Sequence, residues 1–453
     1  MTAKNKIIDD VLQTRLPAYL DEISVLCAQP SVSAKHEGIN ECVALVLAAL
    51  QKHGVQAAIY QTAGHPVVMG RAAGKSDKTL LCYNHYDVQP VEPLELWETP
   101  PFQPSIRDGK LFARGSRDDK GELISRLAAL DAVREANGGE LPCSYVFVVD
   151  GEEEVGSPNM PAFVQAHLKD LASSGALWEE GGIESSGAPY CSLGCRGILA
   201  VELSITTMKT DAHSGRAHFL HSAAWRLVRL LNALKDENDH INIAGFYDDA
   251  RPPLPLDLEL LDALPSEVDL HKQIYGIEKY HLNRTESEVR RAVFQPTMNI
   301  EGISTGYTGE GMKTVIPAKA SVKIDFRLVP DQDPQDCLRK LKAHLVAIGY
   351  GDVDVKYIGS MAPSRTRPDD PLVKLVAQAA AEVYPVPALL YPMVGGSSPI
   401  YAFKQPLGNI PVVNPGIGYW DNRAHAPNEH IRIDDFAQAT RHIARVMDGF
   451  ASL

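Results

Sequence analysis

The stretch TLLCYNHYDVQP, residues 79–90, decides how this chain is read. Its first half, Thr79 to Tyr83, is an apolar run with the character of a buried strand, and its second half carries a His-x-Asp pair. A strand sends alternate side chains to one face, so His85 and Asp87 are expected on the same side. A carboxylate beside an imidazole fixes its tautomer and ring orientation, which suits a metal-ligating His. Taken alone the pair reads more readily as an ordinary strand-end hydrogen bond. The segments that follow change that balance.

The segment ARGSRDDKGEL (residues 113–123) leads a charged, Gly-containing turn into an apolar helical stretch, Leu123 to Val133. One aspartate at a helix start is accounted for as a cap that complements the helix dipole. Asp118 and Asp119 together exceed that need, and one carboxylate is free to face a cation. The segment VFVVDGEEEVGS (residues 146–157) repeats the pattern of the first, a β-rich apolar run followed by charge. Three consecutive glutamates at a strand end repel one another unless a cation or a proton intervenes. In an open α/β sheet the functional crevice lies outside the carboxyl ends of the strands. Two further acid and imidazole segments are LWEEGGIE (177–184) and DNRAHAPNEH (421–430). Carboxylate oxygens plus imidazole, without thiolate, suit zinc, manganese or cobalt. None of the seven cysteines stands in a C-x-x-C spacing, which fits reduced thiols of a cytosolic protein.

In that order, HYDVQP, RGSRDDKG, DGEEEVGS, EEGG and RAHAPNE resemble the five metal-site segments of the M20 family of metallopeptidases. The resemblance runs from about Ile7 to Phe450 and is strongest to the dipeptidase branch, which includes carnosinase-type and cytosolic nonspecific dipeptidases. It implies two divalent ions per subunit, with zinc ahead of manganese or cobalt. His85 would bind one ion and His425 the other, with Asp118 bridging. Glu154 would complete the His425 ion and Glu180 the His85 ion; Glu180 is preferred to Glu179 because it directly precedes Gly181-Gly182. Glu153 would be the general base, with Glu152 taking that role if the register slips, and Asp87 would support His85. His213, in KTDAHSGRAH, would reach the active site of a partner subunit and stabilise the oxyanion. Arg327 would clamp the substrate's terminal carboxylate, helped by Thr314 and Ser397.

Composition agrees with a soluble enzyme: 45% of residues are hydrophobic and 22% charged. The formal net charge of −13 argues against general nucleic-acid binding. The N-terminal stretch reads as an amphipathic helix without the apolar core of a signal peptide. No run of about eighteen apolar residues suggests a membrane span, so a cytoplasmic location is expected. At 453 residues the chain exceeds one core, and two domains are expected.

Up to Gly197 helical and strand patterns alternate, the order of an α/β domain with a mixed, largely parallel sheet. Helices are expected near 6–27 and 39–53. A strand at GILAVELSITT and a helix over 222–234 begin a different unit. A polar, Pro-rich insertion (roughly 235–293) follows, then strands in PTMNIEGIS and IPAKASVKIDFRLV, a helix over 334–349 and a last strand in DVDVKYIG. The expected division is a catalytic domain over 1–197 and 363–453, interrupted by an α+β domain over 198–362. By resemblance the first is phosphorylase/hydrolase-like and the second is the lid or dimerisation domain.

The reading that follows is a dipeptidase forming a homodimer, with small peptides as substrates. An N-acyl amino acid deacylase or a carboxypeptidase would share the same metal residues, and a non-catalytic binding protein would lack some of them. No nucleophile-elbow pattern supports a serine hydrolase.

Overall fold

In the computed structural model, which describes residues 2–453, the opening apolar run is the strand Thr79–His85, buried at every position. It is the fourth strand of a six-stranded sheet ordered Gln56–Tyr60, Val67–Ala72, Ser144–Asp150, Thr79–His85, Gly175–Leu177, Val412–Val413. The last four run parallel, and the first two join antiparallel, so the sheet is mixed. Parallel strands covered on both faces need continuous apolar sequence rather than alternation, and YVFVV and TLLCY supply it.

Register is what gathers the loops. His85 stands opposite Asp150, Cys82 opposite Leu177, and Leu177 opposite Val413. Because these strands point the same way, the loops after residues 85, 150, 177 and 413 all leave at one edge. One face of the sheet carries the helices Met160–Ala166 and Tyr401–Lys404. Phe163, Val164 and Phe403 pack there against Leu81, Tyr83, Val146, Val148 and Trp178. The helix Lys120–Ala136 packs on the strand Thr79–His85 and against the helices Ala3–Ala28 and Ile433–Phe450. Each large apolar side chain buried in this way contributes roughly 1.5–3 kcal/mol relative to exposure.

The chain forms two compact units. The larger holds the residues up to Leu193, Arg365–Pro392 and Pro399–Leu453; the smaller holds Gly194–Ser364 and Met393–Ser398. The smaller unit is built on a four-stranded antiparallel sheet ordered Thr297–Thr305, Lys319–Leu328, Gly197–Thr206, Asp354–Met361. Its strand Gly197–Thr206 alternates buried and half-buried residues, as one covered face requires. The helices Ala223–Leu234 and Pro334–Ala347 supply that cover through Leu227, Leu230, Leu234, Leu338, Leu341 and Leu345. The Pro-rich stretch is more ordered than its composition suggests. It holds the short helices Pro255–Ala263, Val268–Tyr275 and Glu286–Arg291, the last opened by a capping box between Thr285 and Glu288. Among the described residues, no helix is long and apolar enough to cross a membrane.

Candidate metal centre

The site grows from the strand edge described above. His85 is the last residue of its strand, with its ring buried. Its Nδ1 donates to the Asp87 carbonyl oxygen at 3.0 Å, which turns Nε2 toward Asp118 Oδ1, also 3.0 Å away. The other Asp118 oxygen, Oδ2, lies 2.9 Å from His425 Nε2. Glu154 Oε2 lies 3.3 Å from the same His425 nitrogen. One carboxylate therefore stands between two imidazoles, an oxygen facing each. Two groups of potential ligands result, His85 with Asp119 and Glu179, and Asp118 with Glu154 and His425; within each, the ligand atoms lie within 4.8 Å of one another.

The strand ends before Asp87, so loop geometry rather than strand alternation returns Asp87 to its neighbour. Its Oδ1 lies 3.4 Å from His85 Nδ1. The same carboxylate accepts the backbone N–H groups of Glu153 and Glu154, each at 3.1 Å. The acidic turn is held further by Asp150, which accepts from Glu152 N, Ser157 Oγ and Tyr83 Oη. Within the turn the three glutamates go separate ways. Asn159 donates to Glu152 at 2.7 Å, Gln89 donates to Glu154 at 2.7 Å, and Glu153 is left facing Asp118 and His85. Asp119 occupies the N-cap position of its helix without a capping bond; its Oδ2 accepts from Asn84 Nδ2 and from His85 N instead.

In the fourth segment Glu179 stands with His85 and Asp119 as a group of potential ligands. Glu180 has a left-handed backbone, with φ of +73°; the residue is exposed, yet burial of its carboxyl raises it, and the charges of Arg117, Asp118, His85 and His425 act on it. The following Gly181 also has positive φ, and a Cβ there would sit 1.8 Å from the Asn414 carbonyl oxygen. His425 shares the left-handed conformation, at φ +61°, an unfavourable state for His that occurs preferentially at functional positions.

Electrostatics show what the cluster lacks. Burial alone would raise Asp118, yet hydrogen bonds from His425 and His85 hold its carboxyl well below the usual range. Burial would lower His85, but the Asp118 and Asp87 carboxylates outweigh it and raise the imidazole well above its ordinary value. Bonds to Asp118 and Glu154 push His425 up to about 10. Burial pushes Glu153 up to about 8 and Glu179 well above the carboxylate range. Carboxylates far outnumber the two imidazoles here, so protons make up the missing positive charge. Hard oxygen donors, two imidazoles and a buried Glu179 Oε2 without a hydrogen-bond partner fit divalent cations. No cysteine belongs to either group, and all seven are buried.

The remaining candidates lie on the smaller unit, in two pairs. Arg327, on the strand Lys319–Leu328, donates to Ser397 Oγ at 3.0 Å and lies 3.4 Å from Asp325. His213 pairs with Val315 in a two-residue ladder, and its Nε2 lies 3.4 Å from Thr314 Oγ1. Its Nδ1 accepts from Gly215 N.

The sequence of Peptidase family M20/M25/M40 matches residues 81–449. The chain belongs to this family. The M20 chain is thus a hydrolase of the metallopeptidase class. It is 27% identical over 407 residues to the Cys-Gly metallodipeptidase dug1 of Schizosaccharomyces pombe, covering 86% of this chain and 83% of that protein. To the Beta-Ala-His dipeptidase of Homo sapiens it is 27% identical over 392 residues, covering 83% and 76%. Among solved structures it resembles the M20 family metallo-carboxypeptidase Sso-CP2 from Sulfolobus solfataricus, at 34% identity and a TM-score of 0.87, covering 96% of this chain and 99% of that one.

Proposed function

We propose that this M20 enzyme is a dipeptidase that holds two divalent ions, zinc ahead of manganese or cobalt, and hydrolyses free dipeptides. The observation that carries the reading is Asp118 set between His85 and His425 with one oxygen on each. Asp118 would serve both ions, with His85 and Glu180 holding one and His425 and Glu154 the other. Glu179, whose carboxylate lies with His85, is the alternative to Glu180.

When bound, the two ions would supply polarisation of the scissile carbonyl, acidification of the attacking water and the charge that keeps Glu153 ionised. Glu153 accepts the proton of that water and delivers it to the leaving amine. Asp87 keeps Glu153 and Glu154 in place through their backbone N–H groups. Arg327, with Ser397 beside it and Thr314 assisting, takes the substrate's terminal carboxylate, for which a guanidinium fork is suited. His213 donates to the developing oxyanion, serving the second copy in a homodimer. Seven buried cysteines, none in a C-x-x-C spacing, support a reducing, cytoplasmic setting.

A second reading, carboxypeptidase action on longer peptides, is favoured by the 34% identity to Sso-CP2. The test is hydrolysis by zinc-reconstituted enzyme of free dipeptides, the same dipeptides amidated at the C-terminus, longer free peptides and N-acetyl amino acids. Cleavage of free dipeptides, lost on amidation, is the expected result. Faster release of single residues from longer peptides moves the assignment to carboxypeptidase. A preference for N-acetyl amino acids moves it to deacylase.

A further inference from the structure

Glu429 is fully buried, belongs to neither ligand group, and has no part in the chemistry above. It stands where two ligand-bearing loops meet. The short strand His430–Arg432 pairs antiparallel with Lys110–Phe112, His430 opposite Phe112. The chain leaves that ladder forward through Ala113 to Asp118, and backward through Glu429 to His425. Ala113 N donates to the Glu429 carbonyl at 3.1 Å, so the ladder extends one step before the loops part.

The Glu429 side chain then reaches into the first loop. Oε1 accepts the backbone N–H groups of Arg117 at 2.9 Å and Asp118 at 3.0 Å. Oε2 accepts Gly115 N at 3.0 Å and Arg114 Nη1 at 2.7 Å. A carboxylate has about four acceptor positions, and all four are used on one turn of chain. A fold staple would need only the Arg114 ion pair. The two bonds on Oε1 end on the backbone of the residue whose side chain stands between the two imidazoles.

We infer that Glu429 is a positioning residue: its Oε1 grip on the Arg117 and Asp118 backbone sets where the Asp118 carboxylate stands between His85 and His425. The inference rests on the binuclear reading above. Groups that orient a metal ligand in this way typically cost about 10–100-fold in metal affinity when removed. Glutamine in its place keeps the shape but presents an amide N–H to one pair of donors, and the loop must shift.

The experiment is calorimetric titration of zinc into metal-stripped protein, with thermal unfolding of the same samples and steady-state kinetics at saturating zinc. Glu429→Gln is expected to bind zinc about 10–100-fold more weakly and to lower kcat more than KM. Arg114→Gln removes the ion pair but leaves the Oε1 bonds, and its zinc affinity is expected within about threefold of the parent. Asp118→Asn is expected to lose tight zinc binding. Parental zinc affinity in Glu429→Gln overturns the inference, while loss in Asp118→Asn shows that the binuclear reading survives. An equal loss in Arg114→Gln also overturns it, since the role would then belong to the ion pair. Parental affinity in Asp118→Asn overturns the binuclear reading itself. If Glu429→Gln does not fold, Glu429→Asp keeps the charge beside Arg114 but withdraws the oxygens by one bond; weaker zinc binding supports the inference and unchanged binding overturns it.

Discussion

The Asp87 carboxylate accepts the Glu154 backbone N–H at 3.1 Å, which ties the loop after one parallel strand to the loop after its neighbour. Asp87 is completely buried, and its other oxygen accepts Glu153 N while lying 3.4 Å from His85 Nδ1. One carboxylate thus sets a proposed ligand on the first loop and both a ligand and the base on the second. The parallel register brings the loops side by side, and Asp87 locks them at a fixed separation.

Asp87→Asn is expected to weaken zinc binding and lower kcat, each by about 10–100-fold, because the amide replaces one acceptor with a donor. The lost buried acceptor costs about 1–3 kcal/mol in stability. Calorimetric zinc titration and urea unfolding of the metal-free protein measure the two effects separately.

Glu153→Ala is expected to reduce turnover by at least about a hundredfold, the usual contribution of a positioned general base. Both ions are expected to stay, because Glu153 is in neither ligand group. Elemental analysis of the purified variant, alongside dipeptide hydrolysis, checks this. Loss of metal with retained turnover would contradict the assignment.

Zinc affinity is expected to rise with pH. In the metal-free protein His85 is raised well above its ordinary value and His425 stands at about 10, so both carry protons that a cation must displace. Protons compete most strongly at low pH, and their competition fades as pH climbs toward the His425 value. Titration between about pH 6 and 8, in buffers of differing ionisation enthalpy, should show proton release accompanying each zinc ion.

A second histidine sets an alkaline limit to stability. His53, 4% exposed, lies 2.8 Å from Asp131 and 2.9 Å from Glu22, with Lys52, Arg15 and Arg134 joined to the same acids. Burial would lower this imidazole, but the bonds to Asp131 and Glu22 win and raise it from 6.5 to about 9. Its stabilising contribution is therefore fully present below about pH 6.5 and lost as pH rises through about 9. The whole contribution is on the order of 3 kcal/mol. Urea unfolding of the metal-free protein across that range should show the decline, and His53→Gln should flatten it.

The parts of this architecture readable in advance are those where one strand announces one loop. Thr79–His85 and Ser144–Asp150 are apolar throughout, so their ends, and the charged residues beyond them, could be located from sequence. The alternation in Gly197–Thr206 likewise betrays a sheet covered on one face. The short helices between 255 and 291 were not legible, because Pro252, Pro253, Pro255 and a polar composition conceal elements of two turns or so. Glu429 escaped notice because its partners are backbone groups more than three hundred positions away. The choice within Glu179-Glu180 is not legible in the sequence, because the two carboxyls are adjacent and both come close to His85.

The fourth segment can be tested directly. Glu179 is 4% exposed, its Oε1 accepts from Trp178 Nε1 at 3.1 Å, and its Oε2 has no hydrogen-bond partner. An unpartnered buried carboxylate oxygen is costly unless something positive meets it. Glu180 stands one residue on, with the charges of Asp118, His85 and His425 acting on its carboxyl as well. If Glu179 is the ligand, Glu179→Gln is expected to lose one of two zinc ions, with affinity at that position falling about 100-fold or more, while Glu180→Gln keeps both. Paired titrations of the two variants, each counted for bound zinc, decide between them. The opposite pattern would mean that Glu180 holds the ion of His85 and leaves Glu179 as a buried, protonated acid.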